Sequence, residues 1–159
     1  MKKLVLILTF VCVLAGLSAQ VGLLGLYYGE NFSTARSNLS NVGFVLTKNW
    51  PVTKVMGLEN PSTYYMVEMY VNPSTSKLVG WSIFYDENLS DEENQRILSD
   101  CIDLHGDKFT VDEENNMIMW NLDSTKSLCL GCDEAGNLKV AVYYDDANQS
   151  IFDRADERP

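Results

Sequence analysis

The chain has 159 residues, 46% hydrophobic and 21% charged, with 12 Lys+Arg against 22 Asp+Glu and a single His. Four Pro and ten Gly exclude a collagenous or linker-dominated chain, and an aromatic content of 11% argues against disorder. A chain of this size folds as one soluble unit that buries roughly two-thirds of its unfolded surface, so no disulfide scaffold is required.

The N-terminus, residues 1–19, reads as a secretory signal peptide. Met1-Lys2-Lys3 is a short basic start, Leu4 to Leu17 an apolar run, and Leu17-Ser18-Ala19 a small-residue cleavage site before Gln20. The run is shorter than the ~20 residues of a spanning helix. A lipoprotein needs a Cys just after the cleavage site, whereas Cys12 lies inside the apolar run. The expectation is a secreted or periplasmic protein, free of the membrane once the signal is removed, and the Lys-Lys start points to a bacterial source. Four Asn-x-Ser sequons, at Asn31, Asn38, Asn88 and Asn148, matter only in a eukaryotic secretory pathway.

Loss of Lys2 and Lys3 with the signal leaves ten basic against 22 acidic side chains. The imbalance lies in the second half: residues 20–85 hold three acids and four bases, residues 86–159 nineteen acids and six bases. Phosphate is repelled by such a surface, so nucleic acid and anionic membrane surfaces are poor partners for the second half, and a partner protein with a basic surface or a divalent cation is compatible with it. Acids spread over helix faces and turns also simply keep an exported protein soluble.

After a short apolar stretch, Gly22 to Tyr28, the first predicted element is a helix over Ser33 to Val42, stopped by Gly43. Phe44 to Thr47 and a loop or weak strand through Pro51 to Leu58 follow. Tyr64 to Val71 and Lys77 to Tyr85 then form a hairpin across Asn72-Pro73-Ser74-Thr75-Ser76. In the second half, Ser90 before Asp91, Glu92 and Glu93 is a capping box with acids in the first turn. Ile97, Leu98, Cys101, Ile102 and His105 share one stripe of that helix, which Gly106 ends. Strands are predicted at Phe109 to Asp112, Met117 to Leu122, Ser127 to Cys132 and Leu138 to Tyr144, and residues 147–159 as a polar, frayed tail.

The pattern predicts an α+β fold: an antiparallel sheet with two helices packed on one face, built as a tandem pseudo-repeat of a helix and four strands. Residues 20–86 form the first unit and residues 87–146 the second. The sequence echo is Lys77 to Asp86 against Leu138 to Asp145, where Ile-Phe-Tyr-Asp matches Val-Tyr-Tyr-Asp. This order, the step into Gly43-Phe44 and the secretory signal resemble small bacterial secreted proteins of the β-lactamase-inhibitor-like type, over about Gly25 to Asp145. The chain departs from them at Gly29-Glu30-Asn31-Phe32-Ser33, where those proteins commonly carry Gly-Met-Thr or Gly-Met-Ser, and in lacking an obvious paired-Cys pattern. The resemblance implies a curved sheet with helices on one side, and binding through its open face rather than catalysis.

Residue chemistry agrees with a non-catalytic protein that needs no cofactor. There is no G-x-S-x-G elbow, no H-E-x-x-H and no calcium-loop or phosphate-loop pattern, and adjacent acids such as Asp145-Asp146 belong to solvated turns. The alternative is a small metal-binding or disulfide-stabilised domain using Cys101, His105, Cys129 and Cys132. In an extended strand Cys129 and Cys132 point to opposite faces about 10 Å apart, so a metal requires a sharp turn at Gly131. A Cys101–Cys132 disulfide is the other use of these thiols in an oxidising compartment.

Period-two alternation sorts the strands. The helix-covered face takes Tyr65, Val67, Met69, Val71, Val79, Trp81, Ile83, Ile118, Trp120, Leu122, Leu128, Leu130, Val140 and Val142. The open face then presents Tyr64, Met66, Tyr70, Phe84, Met117, Met119 and Tyr143, with Glu68, Ser82, Asn121 and Lys139 among them. Aromatic and Met side chains mixed with a few polar groups suit a protein-recognition surface. A second buried layer beneath a loop such as Asn49 to Ser62, a dimer interface, or a register shift that exchanges the faces fits the same pattern.

Overall fold

The computed structural model describes residues 21–58 and 63–156; the expected signal peptide lies outside the described residues. The elements are a 3-10 turn at Leu23–Gly25, α1 (Phe32–Asn41), β1 (Phe44–Asn49), β2 (Thr53–Leu58), β3 (Tyr64–Asn72), β4 (Lys77–Tyr85), α2 (Asp91–His105), β5 (Thr110–Asp112), β6 (Met117–Asn121), β7 (Lys126–Cys132), β8 (Leu138–Asp145), a second 3-10 turn at Asp146–Asn148 and α3 (Gln149–Asp156). The fold is α+β.

Local chemistry sets most boundaries. Asn31 caps α1 by accepting the Ser33 amide at 3.0 Å, and the capping box is formed at α2, where Ser90 and Glu93 each satisfy the other's backbone amide. Gly43 and Gly106 leave the two helices at φ 97° and 85°, conformations that cost a side chain steric strain. Asn72 closes the β3–β4 hairpin by accepting the Ser74 amide at 2.9 Å. The stretch expected as a loop or weak strand is the full strand β2, hydrogen-bonded on both sides.

All eight strands form one antiparallel sheet in the order β1-β2-β3-β4-β8-β7-β6-β5. Each helix-led half is a four-strand meander, and the two meet where β4 pairs with β8, with Trp81 opposite Tyr143 and Ile83 opposite Ala141. Buried residues of α1 (Ala35, Leu39) and α2 (Ile97, Cys101) join one cluster with Met56, Val67, Met69, Trp81, Ile83, Trp120, Leu128, Leu130 and Tyr143. Each fully buried aliphatic side chain there contributes roughly 1.5–3 kcal/mol. No helix among the described residues is long and apolar enough to cross a membrane.

Residues 147–156 of the expected frayed tail are instead helical. Asp145 caps its start by accepting the Ala147 amide at 3.1 Å, and α3 lays Ile151, Phe152 and Ala155 against Val52 and Val79, with Tyr70 and Tyr144 packed alongside. Gly80 permits the approach: a Cβ there would stand 2.7 Å from the Phe152 ring and 2.5 Å from the Tyr143 carbonyl. The overall polarity of residues 147–159 hides this stripe, which falls at i, i+1 and i+4.

Candidate functional site

Strand register decides which side chains share a face. Four bulges, at Leu46/Lys48, Tyr64/Met66, Tyr70/Val71 and Gly131/Cys132, interrupt the ladders; those at Tyr64/Met66 and Tyr70/Val71 re-aim side chains near the predicted open face. The bulge at Tyr64/Met66 exchanges Tyr64 and Tyr65. Tyr64 lies opposite Tyr85, 5.9 Å between ring centroids, and packs on the core cluster, whereas Tyr65 is 55% exposed. The bulge at Tyr70/Val71 turns Val79 from the core side to the α3 side.

Strand β8 departs most from expectation. Tyr143 is not on the open face: it is 0% exposed, opposite Leu128 and Trp81, and Val140 and Val142 take the other side opposite Phe84 and Ser82. Leu138 to Tyr144 is apolar at both parities, so alternation alone does not orient it; pairing with β4 does. Tyr70 lies on the predicted face but beneath α3, its ring 4.8 Å from that of Phe152.

Met66, Phe84, Met117 and Met119 do share the side away from the core cluster, as the ladder through Phe84↔Val140, Val142↔Cys129, Cys129↔Met119 and Met117↔Gly131 requires. With Val140, Val142 and Cys129 they make a half-exposed apolar strip across β3, β4, β8, β7 and β6, and no helix residue joins it in either core cluster. Toward α3 the strip ends at a polar group in which Tyr70 Oη lies 3.4 Å from both Glu68 Oε2 and Ser82 Oγ. At the other end a cavity of about 510 Å³ is lined by Tyr65, Phe84, Tyr85, Asp86, Glu87, Asn88 and Lys139. Sequence reasoning missed Tyr65, Val140, Val142 and Cys129, which no signal short of strand register reveals, and the acids Asp86 and Glu87, which their place after the hairpin strand could have flagged.

The alternative site does not assemble. Cys101 is in the core, and burial pushes its thiol up to about 12. Cys129 faces the open side, its Sγ 3.4 Å from Met117 Sδ, while Cys132, three residues further along the strand, points to the other side and packs on the core cluster. All three are free thiols. His105 Nε2 is 3.0 Å from Tyr143 Oη, which also accepts the Leu23 amide at 2.9 Å. Burial lowers the His105 pKa, which favours the neutral ring in this contact. The helix dipole favours a proton at this C-terminal end, and desolvation opposes it. Among the described residues no three His, Cys, Asp or Glu are placed to hold a metal.

Burial also pushes Tyr28, Tyr85 and Tyr143 far up, which keeps these phenols protonated. Tyr28 Oη donates to the Tyr144 carbonyl at 3.0 Å, and the open strip offers contact area. No family model, curated protein or solved structure matches this chain.

Proposed function

We propose that this chain is an exported bacterial binding module, without catalytic activity, that holds another protein against the open face of its sheet. One observation carries the reading: an apolar strip of Met66, Phe84, Val140, Val142, Met117 and Met119 runs over neighbouring strands and is only half-buried. A soluble chain that already buries one sheet face gains nothing by leaving such a strip to water unless a partner covers it. Met adapts its shape and aromatic rings supply area at low entropy cost, the composition of a recognition surface.

The same reading takes the two helix-plus-four-strand units as a tandem pseudo-repeat with α1 and α2 on one face. It draws support from the paired meanders about β4 and β8 and from the resemblance to β-lactamase-inhibitor-like proteins. The acidic second half steers a basic partner. The test is capture from an extracytoplasmic fraction by the wild type and by a Met66→Lys, Met119→Lys variant matched in circular dichroism and melting temperature. Loss of a partner by the variant supports the assignment, and retention of every partner overturns it.

A further inference from the structure

The cavity at the end of the strip differs from the rest of the face in carrying charge. Tyr65 presents an exposed ring and Phe84 a half-buried one. Beside them stand two carboxylates. Asp86 uses Oδ1 to accept the Asn88 amide at 2.8 Å and its side-chain Nδ2 at 3.3 Å, which fixes the turn and leaves Oδ2 to the cavity's solvent. The exposed carboxylate of Glu87 has no hydrogen-bond or ion-pair partner among the described residues.

The cation on the rim does not neutralise them. Lys139 Nζ is 3.1 Å from Asp133 Oδ2 and 3.4 Å from the Glu87 backbone carbonyl. Hydrogen bonds from the Asn137 amide and side chain, with the Lys139 ammonium behind them, hold the Asp133 carboxyl at about 2, so this partner is ionised throughout the physiological range. Lys139 is paired with it, and the lining of Asp86, Glu87 and Lys139 keeps a net negative charge next to two aromatic walls.

We infer that this cavity receives an arginine side chain of the protein partner; the inference rests on the open-face reading above. A guanidinium is flat, weakly hydrated and always charged, so it stacks on an aromatic ring while its edge donates paired hydrogen bonds to carboxylates. An ammonium matches the charge but not the plane, and holds its water more tightly. An anion is repelled by Asp86 and Glu87, and an apolar side chain strips water from both without replacing it. A hard divalent cation needs six or more oxygen ligands, which two separate carboxylates between aromatic rings do not supply. The partner that fits is a protein whose surface carries an arginine flanked by apolar residues, the arginine in the cavity and its neighbours on Met66, Val140 and Val142.

The test titrates the 15N-labelled protein with N-acetyl-arginine methylamide, and with the lysine and glutamate counterparts as controls. The arginine compound shifts the amides of Tyr65, Phe84, Glu87 and Asn88 along a saturable curve, the lysine compound does so more weakly, and the glutamate compound leaves them unmoved. Glu87→Gln and Tyr65→Ala, both at exposed positions, each raise the dissociation constant about two- to fivefold. Shifts scattered over the surface, an equal response to the glutamate compound, or affinities unchanged in both variants overturn the inference. Loss of a captured partner in the Met66→Lys, Met119→Lys variant alongside a silent arginine titration removes the arginine seat alone. A saturable titration alongside unchanged capture removes the open-face reading instead.

Discussion

Tyr143 stacks on Trp81 with ring centroids 4.4 Å apart and an interplanar angle of 17°, at the register point where the two four-strand meanders join. The Tyr143 hydroxyl accepts the Leu23 amide and meets His105 Nε2, so one side chain ties together β4, the end of α2 and the segment before α1. Gly22 passes beneath: a Cβ there would stand 2.6 Å from both rings.

Tyr143→Phe keeps the stack and removes the hydroxyl, leaving the Leu23 amide and His105 Nε2 without this partner. The expected loss is about 1–3 kcal/mol, the penalty for stranding buried polar groups. Urea denaturation shows it as a lower midpoint at unchanged slope. Tyr143→Asp places an unpaired charge in the core and prevents folding at 37 °C, whereas a surface residue would tolerate it.

Two buried groups tilt the pH dependence in opposite directions. Burial lowers the pKa of His105 below its ordinary 6.5, so as pH falls through 6.5 the unfolded chain takes up a proton the folded one refuses; stability declines and levels off below the folded value. Burial raises Glu30 above its ordinary 4.5, so its contribution is complete below 4.5 and is lost as pH rises through the folded value. Melting temperatures between pH 4 and 8 should therefore flatten on the acidic side of 6.5 in a His105→Gln variant. Glu30→Gln, which removes a buried carboxylate whose Oε2 has no hydrogen-bond partner among the described residues, should melt a few degrees higher at pH 7.

Gly80→Ala drives a Cβ into the Tyr143 carbonyl and the Phe152 ring, displacing both, and costs about 1–3 kcal/mol. Phe152→Ala loosens α3 from the other side without touching the sheet. Because both act on one contact, the double variant loses less than the sum of the two. Chemical denaturation of the three variants gives the comparison, and full additivity would show that α3 does not rest on Gly80.

Thiol titration without reductant gives three thiols per chain lacking residues 1–19 once the protein is denatured, because Cys101, Cys129 and Cys132 are unpaired. In the native state Cys101 is the slowest to react, held as a thiol by burial. A count of one in denaturant would instead show one disulfide, and peptide mapping would tell whether it joins Cys101 to Cys132.

Much of the framework was legible in the chain. The capping box at Ser90, the stops at Gly43 and Gly106 and the β3–β4 hairpin rest on contacts between residues a few positions apart, so the local sequence contains the information that forms them. The faces of the sheet were legible only in part. Met66, Phe84, Met117 and Met119 fall where alternation puts them, while Tyr64 and Tyr143 do not.

By itself, then, the sequence determined the order and ends of most elements, because capping and turn geometry are satisfied within a few residues of backbone. The tertiary structure alone decided which side of the sheet each strand offers. A bulge shifts alternation by one residue according to the strand across from it, Leu138 to Tyr144 is apolar at both parities until β4 orients it, and α3 becomes a helix with a buried stripe where Gly80 leaves room for Phe152.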